Sequence, residues 1–131
     1  MKKIGIINQP ISSIISGLGH TDRVVIADAG LPIPANVQRI DLALKEGVPS
    51  FLETLEVLLL EMQVESIILA AEIKEKNPGI ETALLQAIGN IPVFYIPHED
   101  FKTETQTAKA IIRTGEFSPY ANVILVAGVV F

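Results

Sequence analysis

Short, predominantly apolar, β-branched runs recur along this 131-residue chain, separated by stretches with helical spacing. Val24-Val25-Ile26-Ala27, Val64–Ala70 (with Ile67-Ile68-Leu69) and Tyr120–Ala127 are such runs. Their apolar centres lack the polar–apolar alternation of a half-solvated strand, so they must be covered on both faces. Pro92–Ile96 reads as a further strand and Arg39–Leu44 as another, while Lys2–Ile7 reads as a short strand or an extended lead-in. Between them, Ile11, Ile14, Ile15 and Leu18 fall at helical spacing, and Phe51, Leu52, Leu55, Leu58, Leu59 and Met62 form an apolar stripe. Glu81–Ile88 and a stretch from about Phe101 to Arg113 complete the helical segments. Strands alternating with helices predict an α/β fold. The expected architecture is a single compact domain over residues 1–131. Its sheet is predominantly parallel or mixed, with helices on both faces in a three-layer α/β/α arrangement.

Local signals set the boundaries. Ser50 precedes the stripe and Glu53 lies three residues on, as a capping box requires. Pro32 and Pro34 make Leu31–Asn36 a rigid extended loop. Ala71–Lys76 reads as a short helical turn closed by Asn77-Pro78-Gly79, and Gly19, Gly89 and Gly115 follow expected helix ends. No internal repeat or linker divides the chain.

Composition narrows the function classes. Counting Gly and leaving out Tyr, about 54% of the chain is apolar, against a typical ~45–50%. A small domain has little interior in which to hide that surplus. Either the chain enters a membrane or it buries surface against partners. The longest stretch free of charged residues, Ile4–Thr21, contains Asn8, Gln9, Pro10, three Ser and His20, which no hydrocarbon span accepts. Met1-Lys2-Lys3 followed by apolar residues imitates a secretory signal, but the run breaks at Asn8-Gln9-Pro10 and no cleavage site follows. A net charge of −5 argues against nucleic acid, which requires a basic face. The absence of Cys removes thiolate catalysis and Cys-based zinc sites, and is compatible with the cytoplasm.

Four places carry chemistry. His20, in Gly19-His20-Thr21-Asp22, lies in a loop before a strand and can exchange protons near neutral pH. It is equally readable as a helix C-terminal residue complementing the dipole. Asp28 ends an apolar strand, where ligands of open α/β sheets bind, or it is a turn Asp bonding its own backbone. His98 follows Pro97 at the end of another strand and shares that logic; its plainer role is a loop residue before the next helix. Lys102, four residues on, faces the same cleft if the helix begins by then. The segment Tyr120-Ala121-Asn122 offers groups that match a polyol, or simply introduces the last strand. No dinucleotide, phosphate-loop or nucleophile-elbow motif is present. A zinc site would require His20, His98 and a carboxylate to converge.

The ordered blocks along the chain resemble the family of ribose pyranases and L-fucose mutarotases. They are Ile11–Ser16 leading to Gly19-His20-Thr21-Asp22, Asp28–Pro34, Gly47–Phe51, Glu61–Glu65, Ile112–Glu116 and Ser118–Leu125. Each block alone is unspecific; their order and spacing over essentially all 131 residues are not. The resemblance implies a cytoplasmic isomerase that needs no cofactor or metal. It would interconvert pyranose and furanose forms of D-ribose and so supply furanose for ribose catabolism. It also implies assembly as two pentameric rings paired into a decamer. The family's proton donor falls on His20, and its sugar contacts on Asp28, His98 and the Tyr120–Asn122 segment. His98 and the Leu31-Pro32-Ile33-Pro34 form of the loop favour the ribose over the fucose branch.

Opening a cyclic hemiacetal requires a proton on the ring oxygen and loss of one from the anomeric hydroxyl. His20 is the expected acid, with Asp28, His98, Tyr120 and Asn122 positioning hydroxyls and water or His98 as base. From His20 to Asp28 the chain advances eight residues, up to ~26 Å if extended. This favours a pocket shared between subunits, His20 coming from one and sugar contacts from its neighbour. Burial of apolar surface between subunits, Val129-Val130-Phe131 included, would then absorb the surplus. A non-catalytic sugar-binding module and a His phosphoryl carrier of a sugar-uptake system are the alternatives.

Overall fold

The computed structural model describes residues 1–131. Its apolar runs assemble into one six-stranded sheet. The strands are β1 (Arg23–Ala27), β2 (Gln38–Asp41), β3 (Val64–Ala70), β4 (Val93–Ile96), β5 (Ala110–Arg113) and β6 (Val123–Ala127). Their spatial order is β2-β5-β1-β6-β3-β4. β1 and β2 both run parallel to β5, and β3 runs parallel to β4. β6 alone is reversed, pairing antiparallel with β1 and β3. The sheet is therefore mixed.

The helices are α1 (Gln9–Ser16), α2 (Phe51–Leu59), α3 (Ile73–Lys76), α4 (Pro78–Ile88) and α5 (His98–Glu104), the last continued by a 3₁₀ turn over Thr105–Thr107. Asn8 caps α1 by accepting from the Ile11 N–H at 3.1 Å. The expected capping box of α2 is present: the Glu53 N–H donates to Ser50 Oγ at 3.1 Å and the Ser50 N–H to the Glu53 carboxylate at 3.0 Å. The Ser50 N–H and hydroxyl, each donating to the Glu53 carboxylate at 3.0 Å, hold that carboxyl below its ordinary range.

Alternation along β1 sorts the core. Val24 and Ile26 face the larger cluster, with Ile11 of α1, Phe51, Leu55 and Leu58 of α2, and Leu84 and Ile88 of α4. Val25 and Ala27 face the smaller one, with Leu31 from the extended loop, Val37 just before β2 and Phe101 from α5. Helices thus cover both faces, though unequally.

Three expectations change. Residues 110–113 are strand β5, not the end of a helix begun near Phe101; the helix stops at Glu104. Ala110-Ile111-Ile112 is buried throughout, and periodicity cannot distinguish a short buried strand from a buried helical segment. Residues 2–7 form no strand; they bend at Gly5 (φ 74°) and are held by the Ile6 N–H donating to Glu61. Tyr120–Asn122 precedes β6 instead of opening it. No helix is long and apolar enough to cross a membrane.

Candidate functional site

Sheet direction gathers the site. β1, β3, β4 and β5 all end at one edge of the sheet, and the reversed β6 begins there. That edge therefore receives Asp28 after β1, Glu72 after β3, His98 after β4, residues 114–118 after β5, and Tyr120–Asn122 before β6. They surround a cleft of about 630 Å³ lined by Asp28, Leu31, His98, Arg113, Glu116 and Tyr120, among others. Clefts beyond strand carboxyl ends, where the direction of the chain changes, are where open α/β sheets take ligands.

The bonding around Asp28 is dense. Its N–H donates to Asn122 Oδ1 at 2.8 Å, and Asn122 Nδ2 donates back to Asp28 Oδ2 at 2.8 Å. The Gly30 N–H donates to Asp28 Oδ1 at 2.9 Å. Asn122 is fully buried, so within this chain its amide braces Asp28 from behind and does not line the cleft. Ala121 is likewise fully buried, its methyl in the larger core cluster. The expected contact segment thus presents Tyr120 to the cleft and keeps its next two side chains behind it.

His98 opens α5. Its N–H donates to the Glu72 carboxylate at 2.8 Å. Its ring stacks on Phe101 and meets the Tyr120 ring edge-on, with centroids 5.0 Å apart. His98 Nδ1 is buried with no hydrogen-bond partner in the chain. Lys102 is on α5 as expected, but its ammonium pairs with Glu99 at 2.7 Å and it is not among the cleft-lining residues. That pairing holds the Glu99 carboxyl below its ordinary range.

His20 is elsewhere. The Thr21 N–H donates to the Ala127 carbonyl and the Ala127 N–H to the Asp22 carbonyl, both at 2.8 Å, which ties this loop to the far end of β6. His20 Nε2 lies 2.7 Å from Glu65 at the start of β3. A carboxylate only accepts, so Nε2 carries the hydrogen and Nδ1 is left for another partner. The five residues of β1 separate this loop from Asp28, about 17 Å of strand. His20 and His98 do not converge within one chain.

Sequence reasoning missed Glu72, Arg113 and Glu116. Glu72 could have been found by the rule that singled out Asp28, since it closely follows a strand end. Arg113 was hidden by reading β5 as helix. It donates to the Ala29 carbonyl at 3.1 Å and pairs with Asp41 at 3.2 Å, tying the exits of β1, β2 and β5 together. Glu116 was within a quoted block but had no assigned role. Its carboxylate accepts from Ser118 Oγ at 2.7 Å and from the Phe51 N–H at the start of α2 at 3.2 Å. Gly115 lets this turn pass: a Cβ there would lie 2.5 Å from the Lys45 carbonyl oxygen.

Residues 1–130 match the RbsD / FucU transport protein family. The chain belongs to that family. It is 56% identical over 131 residues to the D-ribose pyranases of Halalkalibacterium halodurans and Laribacter hongkongensis, covering the whole of each. Its fold is similar to that of Bacillus subtilis RbsD complexed with D-ribose, at a TM-score of 0.98 and 53% identity across both full chains. The RbsD / FucU fold extends to the fucose mutarotase of Streptococcus pneumoniae in complex with L-fucose, at a TM-score of 0.82 and 31% identity over 95% of each chain.

Proposed function

We propose that this chain is an isomerase that interconverts the pyranose and furanose forms of D-ribose by opening and reclosing the ring. The observation that carries this reading is full-length similarity, in sequence and fold, to an RbsD complexed with D-ribose, alongside D-ribose pyranases at 56% identity. The cleft chemistry agrees with it. A carboxylate, an imidazole and a phenol converge at Asp28, His98 and Tyr120, the groups a polyol requires. Asn122 acts through Asp28, by fixing the direction of its carboxylate, and Lys102 can reach the sugar only by leaving Glu99.

His20 protonates the ring oxygen, and water or His98 takes the anomeric proton. Because His20 lies at the opposite end of β1, it belongs to a cleft completed by a neighbouring copy. The working unit is then an oligomer, on the resemblance a decamer of two pentameric rings in the cytoplasm. Apolar exposure supports assembly. Ile4, Val57 and Leu60 line one open cleft, with Leu60 85% exposed, and Val130 and Phe131 lie on the surface. General acid–base catalysis of this kind supplies ~10²–10⁴-fold, and the chemistry calls for no cofactor.

Saturation-transfer NMR on ribose tests the reading. Wild type should accelerate exchange between ring forms. His20→Ala and Tyr120→Ala should each lose it, and verified mixed oligomers of the two should regain part. Binding without acceleration would leave a sugar-binding module. Phosphate incorporated at His20 from a phosphorylated partner would instead indicate a carrier. Failure of complementation would overturn the shared pocket.

A further inference from the structure

We propose that Asn77 is a positioning residue that holds Tyr120 against His98 and thereby sets the affinity of the cleft for ribose. The inference rests on the ribose-exchange reading above. It begins from Tyr120, whose φ of 57° places it in the left-handed region that residues with a side chain avoid. Such a conformation persists only where its surroundings over-determine it.

Asn77 is at the N-cap of α4, a position where Asn ordinarily accepts a hydrogen bond from the first turn. Here its side chain makes no capping bond. Its amide instead donates to Ser118 Oγ and to the Pro119 carbonyl, each at 2.9 Å. The direction of the amide follows from its partners. A carbonyl can only accept, and Ser118 Oγ has given its own hydrogen to Glu116. Glu116 in turn accepts from the start of α2. The two residues before Tyr120 are therefore held from α4 on one side and α2 on the other. Tyr120 is left with its ring edge-on to His98. A residue that gives up its helix cap to hold a strained loop beside a cleft is tied to that cleft.

Asn77→Asp tests this. Asp keeps the side-chain shape and is an accepted N-cap residue, so the variant should still fold. It presents only acceptors to Pro119 and Ser118. The half-saturating ribose concentration should rise about tenfold, with exchange at saturation within about twofold of wild type. In a Tyr120→Ala background, where exchange is lost and affinity is read by a ribose-binding titration instead, the same substitution should weaken binding no further. Ser118→Ala, which retains the Pro119 bond, should give a smaller rise of about threefold, and it decides the matter if Asn77→Asp fails to fold. An unchanged half-saturation in a folded variant, or an undiminished effect without Tyr120, overturns the proposal. If wild type itself accelerates no exchange, the ribose reading falls separately. The imidazole proton shifts of His98 then judge the clamp: they should move toward those of Tyr120→Ala, and unmoved shifts overturn it.

Discussion

At the carboxyl end of β1, Asp28 is gripped by Asn122 and Gly30 through three hydrogen bonds. At the amino end of the same strand, His20 stands on a single contact to Glu65, with the two side chains 54% and 40% exposed. One end is tightly braced and already encloses a cleft; the other holds a proton-exchanging group in the open. Exposed ion pairs add little stability, so this contact fixes His20 only weakly. The contrast suits a reaction in which one copy fixes the sugar and another delivers the proton.

That division can be broken experimentally, and the largest effect should come from the open end. His20→Ala should slow ribose exchange ~10²–10⁴-fold. Its unfolding free energy in urea should change by less than about 0.5 kcal/mol, as for other exposed sites. Asn122→Ala should do the reverse. It strips partners from the Asp28 N–H and carboxylate behind the cleft, at about 1–3 kcal/mol of stability in the same denaturation. A large stability loss at His20, or none at Asn122, would erase the distinction. The smallest effect is a control away from both ends. Burial, together with a 2.8 Å hydrogen bond to Glu81, pushes the Tyr95 hydroxyl up to about 12. Folding thus favours its neutral form. That contribution is full below the ordinary value of 10.0 and is lost as pH rises toward 12. Tyr95→Phe should flatten the alkaline stability curve in that window and leave ribose exchange at neutral pH unaltered.

Much of this was legible in the sequence, for identifiable reasons. Capping chemistry is local, so Ser50 and Glu53 marked α2 correctly. Runs such as Val24–Ala27 and Val123–Ala127 are apolar and β-branched enough to read as strands. Ala110–Arg113 is not, because Ala and Arg favour helices and three buried residues in a row show no period. Losing β5 hid Arg113 as well. Strand ends revealed Asp28 and His98, but what brings Tyr120 to them is the reversal of β6, and strand direction leaves no mark in a residue pattern. Asn122 was placed in the right neighbourhood, and within the chain its amide bonds to Asp28. Its burial, which directs it to Asp28, is a property of the packed fold.

The sheet order also sets a timetable for synthesis. β1 pairs only with β5 and β6, and β2 only with β5. Both early strands must wait until β5, residues 110–113, has been made before either has a neighbour. β3 and β4 can pair as soon as residue 96 is clear of the ribosome. A nascent chain halted before residue 110 therefore has one native strand pair available, and carries the apolar β1 unpaired until about its last sixth arrives.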